Sequence, residues 1–267
     1  MAAFGKKKKA SEFPDVIPVS EAIRKGDIFT KLTCLIMGAG NLARKQIIQG
    51  LLFLAGELAY IFYMVFYGAK ALQNFVTLGT ETQKKVFNEA TQVYEYATGD
   101  NSQLCLLYGV VTFFVTIGFI LLWRAAIRSS YIAQKAQEAG KKPITFGQIL
   151  KDLKDNRMYQ LFLLFPFLGI ILFTVMPLVF MILMAFTNYD RDHLPPGKLF
   201  DWVGFQNFAR VLNAGGALGE TFWRVLGWTI IWAIFATFLN YIFGIILAII
   251  INRDGTKFKA FWRFIFV

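Results

Sequence analysis

The chain has 267 residues, of which 56% are hydrophobic and 17% charged, with 29 phenylalanines and a mean hydropathy of +0.50. These proportions exclude a disordered chain, a collagen and a small disulfide-built scaffold, and describe a protein solvated largely by lipid. The net charge of +11 would raise nucleic acid as a partner for a soluble chain, so the placement of the basic residues along the membrane-sized segments decides what it means.

The first 47 residues are basic and include Lys6, Lys7, Lys8 and Lys9. That run has the character of a signal-peptide n-region, but no apolar run follows it directly and no small-x-small cleavage site follows the first long apolar stretch. An uncleaved anchor is the reading. Residues 28–43 are moderately apolar yet too short and interrupted to cross, which suits an interfacial helix or a packed cytoplasmic one. A hydrocarbon core about 30 Å thick takes roughly 20 mostly apolar helical residues. Stretches 48–66, 104–123, 161–186 and 225–251 meet that requirement, and a further apolar run begins at Phe258.

Between the first two spans, Thr80 with Gln83 fits a capping box and Gly99 a helix end. Val86, Ala90, Val93, Tyr94 and Ala97 fall on one helical stripe. An amphipathic helix over 80–98, laid on the outer surface, is predicted. Residues 124–160 read as a polar linker broken at Gly140 and Pro143. The 187–224 loop holds Pro195-Pro196-Gly197, then an aromatic stretch over 201–212 (Trp202, Phe205, Phe208) that suits a short interfacial helix.

Lys and Arg number nine in residues 1–47, three in 67–103, eight in 124–160, four in 187–224 and four after residue 251. Positive charge beside short spans holds a segment inside, so this alternation places the amino terminus in the cytoplasm. The basicity is then a topology signal, and no nucleic-acid partner is expected.

Polar residues within the spans are few. Glu57 is costly as a mid-span carboxylate and is a candidate by default, although protonation, or a bond to Tyr60, Tyr63 or another helix, explains it without a ligand. Asn240, one turn from Thr237, is either an interhelical hydrogen-bonding residue or a lining residue of a translocation path. Pro177, Gly227 and Gly244 permit bending or close packing. His193 stands beside Asp190, Arg191 and Asp192 with no second ligand nearby. Cys34 and Cys105 fall on opposite sides of the first hairpin, so neither a disulfide nor a metal site is expected. No phosphate loop, zinc spacing or nucleophile elbow is present, and no cofactor or catalytic group is assigned.

Residues 159–189, YQLFLLFPFLGIILFTVMPLVFMILMAFTNY, resemble the first core helix of carbohydrate-importing ABC permeases: an apolar run, a proline (Pro177) and a closing Phe186-Thr187-Asn188-Tyr189. Val203-Gly204-Phe205-Gln206-Asn207-Phe208 is similar to the family's G-x-x-N-[FY] element, with Gly204, Asn207 and Phe208 as its fixed positions. Trp228-Thr229 opens the fourth span, Gly244 and Leu247-Ala248 close it, and Phe258-Lys259-Ala260-Phe261-Trp262-Arg263 looks like the lead-in to a further core helix. Two spans ahead of this core make the layout similar to the larger permease subunit of maltose/maltodextrin importers. The outer loop 187–224 lacks the large folded domain of the enterobacterial form.

The resemblance implies an all-α, polytopic transmembrane bundle: a cytoplasmic segment 1–47, a two-span hairpin 48–123, a cytoplasmic linker 124–160, and the first part of a type I importer core over 161–267. It implies a non-enzymatic transport subunit in the bacterial cytoplasmic membrane. Its partners would be a second homologous permease, two ATP-binding cassette subunits, an extracellular sugar-binding lipoprotein and membrane lipid. The family's coupling motif, E-A-A…G, is absent from these residues. The resemblance therefore implies a chain truncated at its carboxyl end, with the sugar contacts and the ATPase docking helix beyond Val267. Galactan fragments or cyclodextrin remain alternative cargoes, and a four-span accessory protein is the reading if the chain ends at Val267.

Overall fold

The structure, a computed structural model, describes residues 17–89, 92–213 and 215–266; Lys6 to Lys9, Ala90 and Val267 lie outside them. It is an all-α bundle with one small hairpin, and it divides into two compact units, one ending at Trp202 and one beginning at Val203.

Three short helices open the first unit: α1 (Val19–Lys25), α2 (Ile28–Leu32) and α3 (Ala39–Ala43). The single helix expected over 28–43 is therefore split. Asp27 caps α2 by accepting from the Thr30 N–H, and Gly38, at φ +86°, makes the left-handed turn into α3. The first long helix runs Ile47–Thr77. It comprises α4 (Ile47–Tyr63), a π-helical turn at Met64–Gly68 and α5 (Ala69–Thr77).

Where a helix was predicted over 80–98, the chain forms an antiparallel hairpin instead. Strands β1 (Lys85–Asn88) and β2 (Val93–Tyr96) pair in the register Phe87 opposite Tyr94. The physical reason is composition: Val86, Phe87, Val93, Tyr94 and Tyr96 are β-branched or aromatic and favour a pleated surface. Phe87 and Tyr94 meet edge to face with centroids 5.1 Å apart, and the Lys85 ammonium lies over the Tyr96 ring. The Gln83 N–H that a Thr80 cap would satisfy donates to Pro196 O, while the N–H groups of Thr80 and Glu81 donate to Asp100 Oδ2 at 2.8 and 3.1 Å. Those two bonds hold the Asp100 carboxyl below its ordinary pKa.

The second long helix, α6 (Ser102–Glu138), spans 37 residues and is capped by the Asn101 side chain. It continues well past the predicted span end at residue 123. Residues 124–160 are accordingly helical for the most part, since α6 is followed by α7 (Phe146–Asp155). Here the capping box is real, with Thr145 and Gln148 each accepting from the other's backbone N–H.

The third long helix, Met158–Met184, is made of α8 (Met158–Ile170), a π-helical turn at Ile171–Val175 and α9 (Met176–Met184). Pro177 follows that turn. A proline lacks the N–H of the helical ladder and crowds the carbonyl one turn back, which accounts for the local widening.

Burial within the chain differs among these helices. In the most apolar stretch of α6 28% of residues are buried, against none in that of the third helix. Helix α6 is thus the one the first unit is built around.

The second unit holds α10 (Gln206–Leu212), α11 (Ala217–Asn252) and α12 (Lys259–Phe266). The interfacial helix predicted over 201–212 starts only at Gln206, after Gly204 turns the chain at φ +59°. Helix α11 is 36 residues long and apolar enough to cross a membrane. Four such helices make this a multi-pass membrane protein.

Candidate functional site

Several mid-span polar residues of the first two long helices are paired. Glu57 Oε2 accepts the Met37 backbone N–H at 2.8 Å, so the carboxylate fastens the turn between α2 and α3, at its buried Met37, to α4. That partner differs from those the sequence suggested. Tyr60 donates instead to Thr116 Oγ1 at 3.2 Å, with its ring stacked 3.9 Å from that of Phe119. The hydroxyls of Tyr63 and Thr112 are 2.9 Å apart. In hydrocarbon, where water cannot compete, such pairs knit helices together.

At the basic end of the same helices lies a network that sequence reading missed. The Arg44 side chain, 3% exposed, points its guanidinium at both Asp27 carboxylate oxygens, each 2.6 Å away. It also donates to Gly40 O, Ser130 Oγ and Thr30 Oγ1. Gln134 Oε1 accepts from the Asp27 N–H and the Thr30 hydroxyl, both at 2.9 Å. Burial pushes the Asp27 carboxyl up, but the Thr30 bonds and the Arg44 guanidinium outweigh it and hold the group below its ordinary value. Gly40 is required here, since a Cβ would collide with Ser130 Oγ. A readable signal existed in Ser130 and Gln134, four residues apart on one helical face, once the helical period is carried past Trp123.

At the opposite end, the residues of the F-T-N-Y element fasten the following loop. Thr187, 1% exposed, donates to Met184 O at 2.8 Å and forms a β-bridge with Trp202. Asn188 N donates to Asp201 O, and Asp201 N returns a bond to Asn188 Oδ1 at 2.6 Å. The Tyr189 ring meets Phe200 edge on. Phe200 is buried with Leu78 and Leu106, flanked by Phe75, Phe180 and Leu183, and its N–H donates to Ser102 Oγ. Trp202 Nε1 donates to Phe75 O at 3.2 Å. This staple ties the ends of three long helices together. Within its loop, Asp190 Oδ1 accepts from the Asp192 and His193 N–H groups and contacts His193 Nδ1 at 2.7 Å, and the His193 bond keeps the Asp190 carboxyl below its usual range.

In the second unit, Asn207 and Phe208 sit in the first turn of α10, with the Phe208 ring 5.9 Å from that of Phe205. Asn240 lies in α11 with its side chain exposed. Thr221, Thr229 and Asn252 satisfy themselves on carbonyls of their own helix, whereas Asn240 has no hydrogen-bond partner among the described residues. An unpaired amide in hydrocarbon is expensive. Both thiols, Cys34 and Cys105, are free. Among the described residues no group of three or more His, Cys, Asp or Glu could hold a metal. What the arrangement offers chemically is packing, hydrogen bonding and aromatic faces.

No family profile matches the chain, and no solved structure matches it. Curated relatives do. The maltodextrin transport system permease protein MdxF of Bacillus subtilis is 33% identical over 237 residues, covering 88% of this chain and 51% of the relative. The maltodextrin transport system permease protein MalC of Streptococcus pneumoniae is 30% identical over the same shares. The galactooligosaccharides transport system permease protein GanP of Bacillus subtilis is 33% identical over 246 residues, covering 88% of this chain and 53% of the relative. The chain spans about half the length of the curated relatives it matches, and over that half it is similar to permease proteins of maltodextrin and galactooligosaccharide transport systems.

Proposed function

We propose that this chain forms part of the translocation pathway of an ATP-driven importer for maltose and malto-oligosaccharides, as one of its membrane permease subunits. The observation that carries the reading is the 33% identity over 237 residues to a maltodextrin permease. The ordered elements Pro177, Phe186-Thr187-Asn188-Tyr189 and Gly204…Asn207-Phe208 stand within the same chain and support it.

In this reading ATP is hydrolysed by two separate cassette subunits, a second homologous permease completes the pathway, and an external sugar-binding lipoprotein delivers cargo. The permease itself supplies differential contacts to two conformations, which is what coupling requires. The basic ends of the spans face the cytoplasm, because Lys and Arg concentrate in alternate segments, and Asn240 lines the path. A galacto-oligosaccharide cargo is the second reading, favoured by the 33% identity to a permease named for that sugar.

The test is the reconstituted complex in proteoliposomes, with binding protein loaded by each sugar in turn. Stimulation of ATP hydrolysis by malto-oligosaccharide supports the proposal. A response to galacto-oligosaccharide alone transfers the cargo to the second reading, and no response to either removes the transport function. Orientation is read separately, from a Gly140→Cys variant with Cys34 and Cys105 replaced by serine. Labelling only after the membrane is permeabilised supports the cytoplasmic placement.

A further inference from the structure

A cleft of about 680 Å³ opens between the start of α4, the extension of α6 beyond its span, and α7. Its volume is in the range of small-molecule sites. Its lining is graded along the helices. Leu52, Phe53 and Leu122 form the end toward the apolar span, while Gln49, Arg128 and Arg157 belong to the basic end.

Two of the lining residues carry a buried, unpartnered polar atom: Gln49 Oε1, in a residue 6% exposed, and Arg128 Nε. The first lacks a donor and the second an acceptor. Leaving either unmet is unfavourable in a low-dielectric setting, so the cleft calls for an occupant with both functions beside an apolar body. Helix α7 closes the side with Phe146 and Ile149 and keeps its Lys and Asp residues off that face.

We infer that this cleft holds an anionic phospholipid of the leaflet at the basic end, its phosphate on Arg128, a headgroup hydroxyl donating to Gln49, and its acyl chains against Leu52, Phe53 and Leu122. Charge complementarity selects an anion, because the cleft lining carries two arginines and no carboxylate, although Arg157 also pairs with Asp152 at 2.9 Å. Phosphatidylglycerol matches both demands. Phosphatidylcholine has no hydroxyl donor and no net negative charge. Assigning that leaflet to the cytoplasmic side rests on the orientation proposed above; the site does not.

The experiment is native mass spectrometry of the full-length protein, released from nanodiscs of equal parts phosphatidylglycerol and phosphatidylcholine. Wild type should retain phosphatidylglycerol in preference to phosphatidylcholine. Arg128→Gln should reduce that retention about fivefold, the effect of one interfacial cation, and Arg128→Lys should restore most of it. Ala125→Trp, which fills the cleft from an exposed lining position without removing a charge, should abolish retention while thermal unfolding stays near wild type. Equal retention of the two lipids, variants that bind as wild type does, or displacement by inorganic phosphate alone would overturn the assignment. None of these outcomes depends on transport, so they are distinguishable from a failure of the importer reading.

Discussion

The first two long helices and the fourth solve the problem of polarity in lipid in different ways. In the first pair, Tyr60 meets Thr116, Tyr63 meets Thr112 and Glu57 holds the Met37 N–H, so these mid-span groups are met within the first unit. In α11 the threonines at 221 and 229 bond their own helix and Asn240 bonds nothing among the described residues. The first arrangement builds a scaffold, and the second leaves a surface for other helices, lipid or a passing ligand. What the contrast teaches is that a polar residue in a span announces a role only after its neighbours have been counted.

The sharpest way to break the scaffold side of that contrast is Arg44→Ala. It removes the charge partner of Asp27 and the donors to Thr30, Gly40 and Ser130, and we expect a loss of about 2 kcal/mol, read as a lowered unfolding temperature in detergent. A smaller effect follows from acid. The folded-state pKa of Asp27 lies below its ordinary value, so its contribution is present above the ordinary carboxylate range and is lost as pH falls through the depressed value. Stability should therefore hold from neutral pH to about pH 5 and decline below about 4. Asp27→Asn should flatten that decline, and an unchanged acid limb in the variant would remove Asp27 from the account. The carboxylate is 40% exposed, which keeps this effect below that of Arg44→Ala.

Smaller again is Tyr63→Phe, at about 0.6 kcal/mol for a hydrogen bond between membrane helices, measurable only by a double-mutant cycle with Thr112→Val. At the bottom of the scale, Asn240→Leu should leave stability within about 0.5 kcal/mol while depressing import in the assembled transporter. A stability loss larger than that of Tyr63→Phe would place Asn240 with the scaffold after all.

The four spans were legible because hydrocarbon thickness fixes their length, and Pro177 was legible as a local irregularity, which the structure realises as the π-helical turn at Ile171–Val175. The helices run further than hydropathy suggested: α6 passes Arg124 and Arg128 without a break, since a charge ends the apolar stretch and not the hydrogen-bond ladder. Two T-x-x-Q strings make the remaining limit concrete. At Thr145 the string caps a helix. At Thr80 the same string is diverted, because Pro196 takes the Gln83 N–H and Asp100, twenty residues away in sequence, takes those of Thr80 and Glu81. The clamp on Arg44 was hidden for the same reason, as Ser130 and Gln134 approach Asp27 and Thr30 only after the chain has crossed the membrane twice. In the F-T-N-Y element the motif was visible, but its structural task, tying Thr187 to Trp202 and Asn188 to Asp201, needed the fold.

Helix α6 has a mechanical consequence. At about 1.5 Å of rise per residue, its 37 residues form a rod of about 55 Å that contains no proline. Its first residue, Ser102, accepts from Phe200 in the staple, and Ser130 and Gln134 near its far end grip the Arg44 clamp. A tilt imposed at one face must therefore arrive at the other as displacement, with no joint along the shaft to absorb it.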